Sequence, residues 1–281
     1  AIAVNFGGRR VSIADFSTLP TRARYIAFMP QWHFLDFLAD EGRTLPGFDL
    51  HMEARFRELV EEEGKIAGVV AETPEGALQV RARLVIGADG RSSDVRRAAG
   101  LTVRDIGAPI DVLWFSLPRE AGAFDEVLIH ADAGQLMVTI DRGTYWQCAY
   151  VIAKGGYDEI LREGIGGLQR RVATVVPALA DAALTLTGFE QVHLLSVKVD
   201  RLERWHRPGL ICIGDAAHAM SPVGGVGINL AVQDAVAAAN LLAPQLRRGP
   251  VEEAQLAAVQ RRREWPAAVT QFVQVQAQNR I

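Results

Sequence analysis

The 281 residues carry 30 Lys+Arg against 33 Asp+Glu, a formal net charge of −3, with 49% apolar and 22% charged residues. A balance this close to neutral argues against nucleic acid or an anionic membrane as the main partner, because such binding needs clustered cations. A chain of this length can bury one large or two ordinary cores without disulfides or metal, and Cys148 and Cys212, far apart in apolar runs, offer neither a disulfide framework nor zinc-ligand spacing.

The opening AIAVNFGGRRVSIADF reads as a strand pair turning on Asn5-Phe6-Gly7-Gly8. It has no charged n-region followed by an apolar h-region. The longest uncharged stretch, 216–233, is interrupted by glycines and a proline and makes a poor membrane span, so a cytoplasmic protein is expected. Residues 24–28 follow as a short strand, and Pro30 stands at the start of a helix over 32–41 that groups Phe34, Leu35, Leu38 and Ala39 on one side. Alternation then predicts a β-meander over 48–52, 54–60, 66–71 and 78–84.

The run 84–88 has the continuous apolar character of a strand covered on both faces, and a helix over 92–99 closes at Gly100. Strands over 112–117, 127–130, 136–140 and 145–152, with a turn at 141–143, predict an antiparallel sheet. Alternation sends Trp114 and Ser116 to one face of it and Phe115 to the other. One or two helices over 157–179, a strand over 191–199, a buried strand over 210–213 and two long helices from Gly227 and Val251 complete the chain, the last broken or bent at Pro266. The order α/β, antiparallel sheet, α/β implies one domain interrupted by another at roughly residues 101 and 199.

Two segments carry chemistry. In IGADGRSSDVRRAAG, 86–100, a strand ends in a tight turn at Asp89-Gly90, and Ser92 or Ser93 caps a helix whose first turn offers free N–H groups. In GLICIGDAAHAMSPVGGVGINLAVQD, 209–234, a buried strand is followed by Asp215 and a glycine-rich loop that opens into a helix. The carboxyl end of an α/β sheet is where such folds bind ligands. Gly224, Gly225 and Gly227 allow close backbone approach, and the helix behind them directs a partial positive charge at the loop. Asp215 can accept from sugar-like hydroxyls. The arrangement suits a polyol beside a ring that becomes anionic.

Both segments resemble the two downstream flavin motifs of the para-hydroxybenzoate hydroxylase-like (class A) FAD-dependent monooxygenases, and the resemblance runs over nearly the whole chain. It implies an α/β (α+β) fold: an FAD-binding Rossmann-like domain, 1–100 and 200–281, interrupted by a substrate-binding antiparallel sheet domain with helices, 101–199. It implies that Asp215 holds the ribityl hydroxyls of FAD, that the backbone of Gly224, Gly225, Gly227, Ile228 and Asn229 binds the pyrimidine edge, and that Asp89 and Gly90 sit near the dinucleotide. Gln31 matches a polar residue that reaches the ribityl or phosphate region. Pro222 would set its carbonyl beside the substrate pocket, with Trp114 and Gln147 as substrate-side residues of the sheet that covers the flavin. The implied activity is hydroxylation of an aromatic or polyketide-like small molecule with NAD(P)H and O2 through a flavin C4a-hydroperoxide, with the chemistry carried by the cofactor.

The G-x-G-x-x-G turn that binds the ADP half of FAD does not occur, and by comparison with the family the unit that holds it would precede Ala1. The six histidines are scattered without ligand spacing, and no metal is expected. Two alternatives stand beside this reading. One is another flavin oxidoreductase on the same scaffold, its halogenase version weakened by the absence of Trp-x-Trp-x-Ile-Pro. The other is a truncated, flavin-free module that binds a small hydrophobic molecule.

Overall fold

A computed structural model of the chain describes residues 2–6, 9–119, 129–132 and 134–279. In chain order it contains β1 (Ile2–Phe6), β2 (Arg9–Ala14), α1 (Gln31–Arg43), β3 (Arg55–Glu62), β4 (Lys65–Thr73), β5 (Gly76–Arg81), β6 (Val85–Gly87) and α2 (Asp94–Ala98). Then come β7 (Val103–Asp105), β8 (Ile110–Pro118), β9 (Ile129–Asp132), β10 (Gln135–Asp141), β11 (Tyr145–Ala153), α3 (Tyr157–Val175) and α4 (Ala180–Ala183). The chain closes with β12 (His193–Leu195), β13 (Asp200–Leu202), β14 (His206–Arg207), β15 (Leu210–Cys212), α5 (Gly227–Arg248) and α6 (Glu253–Gln278). These elements form two compact units, Ala1–Phe48 with Pro109–Val197, and Asp49–Ala108 with Lys198–Arg280.

The first unit is built on a seven-stranded sheet in the order β12-β8-β11-β10-β9-β1-β2. Its pleat sorts the side chains as the alternation predicts. Leu113, Phe115 and Leu117 of β8 and Trp146, Cys148 and Tyr150 of β11 are buried against Ile160, Leu168 and Val172 of α3. Trp114, Ser116 and Gln147 lie on the other, more open face, where Gln147 pairs with Ser116 and Ala149 with Trp114. Gly164 leaves the helical region at φ 72° and kinks α3. Asp111, 3% exposed, accepts from the Val197 and Gly155 amides (2.9 and 3.0 Å) and from Lys154 Nζ (2.7 Å). Burial opposes its ionisation, but these donors prevail and hold the carboxyl below its usual range.

The second unit contains the meander β3-β4-β5, the pair β13-β7 and the sheet β14-β15-β6, in which β15 and β6 run parallel. Leu210, Ile211 and Cys212 are fully buried, as expected of an interior strand. One core gathers Ile66, Trp205, Leu210 and Cys212, and a second packs Ile211 and Ile213 against Leu242 and Val259 of α5 and α6. Cys148 and Cys212 are thus single thiols, one in each unit, both free and with their pKa raised by burial, that of Cys212 to about 12.

Several expectations are corrected. Residues 48–52 form no strand, so the meander has three strands. Residues 1–48 group with the sheet unit rather than with 49–100, because β1 joins that sheet by pairing in parallel with β9, Val4 opposite Ile129. Leu35 and Leu38 of α1 are exposed, and the helix instead sets Gly42 against the Phe48 ring. Ile86, expected to be covered, is 49% exposed. Of the break or bend expected at Pro266, the break does not occur, and α6 runs on as one helix. The expected turn at Gly7-Gly8 and the start of the strand at 127–128 lie outside the described residues.

Candidate functional site

The parallel register of β15 and β6 sets Cys212 opposite Gly87, and Ile213 N–H donates to the Gly87 carbonyl at 2.9 Å. Both strands end there. The Asp89-Gly90 turn and the one-turn helix Gly214–Ala216, which holds Asp215, therefore emerge side by side at the carboxyl ends of neighbouring strands. Two sequence segments read separately become one site. Gly214, at φ 59°, lies under Ala231 of α5, so the helix start is drawn to the same place.

Both carboxylate oxygens of Asp89 are engaged locally. Its Oδ1 accepts from Ser93 Oγ (2.5 Å) and its Oδ2 from Val95 N–H (3.0 Å), while Ser93 Oγ accepts from Arg96 N–H (2.9 Å). Asp89 and Ser93 together satisfy two of the free amides of α2, those of Val95 and Arg96. The free polar groups lie next to them. Asp215 stands 3.7 Å from Arg91 Nη2, and Arg91 Nη1 is buried without a hydrogen-bond partner. Burial raises the Asp215 carboxyl above its ordinary pKa; Arg91 and His218 pull it back, and Asp200 adds to the rise.

The loop after Asp215 turns where the Pro222 carbonyl accepts Gly225 N–H at 2.9 Å, with Gly224 and Gly225 at φ 82° and 61°. That carbonyl, expected beside a substrate, spends one lone pair on closing the loop. α5 follows without a side-chain cap, so the amides of Gly227, Ile228 and Asn229 are left available at its positive end. A Cβ at Gly225 or Gly227 would meet nothing within 4 Å, so the backbone there is open to a flat ligand.

Beneath the loop lies a network that sequence reading missed. Asp234, fully buried, accepts from Gly214 N–H (3.0 Å), His218 Nε2 (2.6 Å) and Arg263 Nε (2.7 Å). Burial alone would raise this carboxyl; the three donors outweigh it and hold the group ionised. His218 thus anchors the turn that carries Asp215. Arg96 binds Asp200 through both guanidinium nitrogens (3.0 Å each) and donates to the Arg91 carbonyl (2.8 Å). Among the described residues no cluster of three or more metal-ligating side chains occurs, and no helix is long and apolar enough to cross a membrane.

Of the other expected residues, Gln31 opens α1 as an exposed residue of the first unit. Gln147 accepts from Arg142 Nε and Nη2 (3.0 and 2.8 Å), and Trp114 is half-buried. Trp146 and Tyr150 of the same sheet are core residues.

A strand-end aspartate, an adjacent arginine and an uncapped helix behind a glycine loop thus lie together in the second unit, and the chain belongs to the FAD-binding domain family, whose model matches residues 3–273. It is 36% identical over 258 residues to 6-methylpretetramide 4-monooxygenase of Streptomyces rimosus, a match that covers 91% of this chain and 62% of the relative. It is 24% identical over 256 residues to para-nitrophenol 4-monooxygenase of Pseudomonas sp. strain WBC-3, covering 86% and 60%. Among solved structures, P. aeruginosa PqsL in complex with 2-aminobenzoylacetate has the same fold, with a TM-score of 0.81 at 24% identity over 97% of this chain and 75% of that one. The chain spans about three fifths of the length of those two curated relatives. The expected fold class is therefore established.

Proposed function

We propose that the chain is the greater part of an FAD-dependent monooxygenase that hydroxylates an aromatic or polyketide-like small molecule with NAD(P)H and O2. The observation that carries this reading is the junction of the two motifs at the ends of β6 and β15, where Asp215 and Arg91 keep unsatisfied hydrogen-bonding capacity beside an uncapped helix. Those groups fit FAD. Asp215 accepts from the ribityl hydroxyls, and Arg91 donates to the same polar region. The Gly224 to Asn229 backbone supplies amides to the pyrimidine edge, where the positive end of α5 favours negative charge by about 1 kcal/mol.

FAD, when bound, supplies the electron transfer from NAD(P)H and the activation of O2. The protein orients the reactants and keeps water out. Asp89 and Gly90 shape the turn that presents Arg91, and Gln31 is assigned to the ribityl or phosphate region. On the substrate side we place Pro222, Trp114 and Gln147, the last two on the open face of the seven-stranded sheet. Two relatives named for oxygen insertion into aromatic or polyketide compounds support this substrate class. The near-neutral charge suits a small-molecule partner, and the need for NAD(P)H suits the cytoplasm.

The test is to add FAD to the purified protein, record its visible spectrum, and follow NAD(P)H oxidation with a panel of phenols and polycyclic phenolic ketones. Mass spectrometry then reads whether one oxygen atom enters the product. Bound flavin with substrate-stimulated oxidation and an oxygenated product is expected. Absence of bound flavin sinks the reading, and oxidation without oxygen insertion for every compound moves it to a flavin oxidase or reductase.

A further inference from the structure

Helix α6 buries three glutamines, Gln271, Gln274 and Gln278, at 1, 5 and 2% exposure. Glutamine is ordinarily a surface residue. Their spacing of three and four places them on one stripe of the helix. Gln271 Nε2 donates to the carbonyls of Asp200 (2.8 Å) and Ala219 (2.9 Å), and its Oε1 accepts from Arg201 Nη1 (2.9 Å). Gln274 Nε2 donates to the carbonyls of Ser221 (3.1 Å) and Val223 (2.7 Å), and Gln278 Nε2 donates to Ser221 Oγ. Carbonyls 219, 221 and 223 are thus satisfied in alternation, as those of a strand would be. The Ala219 carbonyl also accepts from Asp200 N–H at 3.2 Å, and beyond it, at 221 and 223, side-chain amides replace the neighbouring strand. Each amide of Gln271 and Gln274 spans two carbonyls, so the ladder fixes both the height and the rotation of the segment that enters the glycine loop.

We propose that Gln271, Gln274 and Gln278 are positioning residues that hold the 221–227 loop in its ligand-ready shape and act on FAD through that loop rather than by contact. The inference rests on reading the loop as the flavin cradle. A control is present on the same helix. Gln260 makes the same kind of tie, with Nε2 donating to the Glu203 carbonyl and Oε1 accepting Trp205 N–H (both 3.0 Å), but to a segment outside the loop.

The experiment compares Gln274→Met, Gln278→Met and Gln260→Met with the wild-type protein by thermal melting, FAD titration and backbone amide exchange. Methionine keeps the length of the side chain and loses both donors. Gln274→Met should weaken FAD binding about tenfold and speed exchange over 221–229 while leaving the middle of α5 unchanged. Gln278→Met, with only a hydroxyl contact to lose, should do the same to a smaller extent and serves if Gln274→Met does not fold. Gln260→Met should lower the melting temperature and leave FAD affinity and loop exchange at wild-type values. Folded Gln274→Met or Gln278→Met with wild-type exchange over 221–229, or a Gln260→Met that weakens FAD equally, would overturn the inference alone. A wild-type protein that takes up no FAD overturns the cofactor reading and the purpose assigned to the ladder with it.

Discussion

In the proposed site, Asp215 and Arg91 are the pair assigned to ligand recognition. The Asp215 carboxyl is raised by burial and only partly restored by Arg91 and His218. Hydroxyl donors from a bound polyol favour the ionised form, so binding lowers this pKa. FAD affinity should therefore be full where the carboxyl is ionised in the free protein and fall as pH drops through its raised pKa. Asp215→Asn should flatten this profile and weaken binding by about 1–3 kcal/mol; FAD titrations across pH check both, and an unchanged profile would remove Asp215 from the site. Asp215 and the loop glycines were legible in the sequence because one contiguous segment carries them. Arg96 was not. Its partner Asp200 lies 104 residues away, and an arginine with a distant partner looks in sequence like any solvated cation.

At the scale of elements, the pair Arg96–Asp200 ties α2 to β13, with the side chains only 10 and 9% exposed. Removing one member of such a pair strands the other charge. Arg96→Met or Asp200→Leu alone should each cost about 3–5 kcal/mol, and the double replacement should recover much of the loss. Urea unfolding of the three variants measures this, and full additivity would show that the pair is not coupled. Local pattern located the meander, α2 with its Gly100 close, the sheet strands and α5. It erred where neighbours decide the outcome. The apolar residues at 48–52 have no strand to pair with, and Leu35 and Leu38 find no cover within the first unit.

For the molecule as a whole, the interruption of one domain by another was legible in the change from α/β to antiparallel patterning and back. The boundary near Phe48 was not. It depends on a parallel pairing of β1 with β9, between segments more than a hundred residues apart, and parallel pairing leaves no turn signal between its strands. The motifs likewise foretold the family, whose match spans residues 3–273, but the packing beneath them, Asp234 with His218 and Arg263, became visible only once α5 and α6 were in place.

The placing of the two cysteines gives the protein a pair of internal clocks. Cys148 and Cys212 are the only thiols of the chain, each shut in the core of a different unit. Neither can react until its own surroundings open. A thiol reagent applied under native conditions should therefore meet two distinct labelling rates, one for each unit. Saturating FAD, by binding the folded second unit, should slow Cys212, which pairs with Gly87 and lies two residues before Gly214, and leave Cys148 at its own pace. Mass spectrometry of the labelled peptides separates the two signals without any mutation, and equal slowing of both thiols would mean that the units open as one.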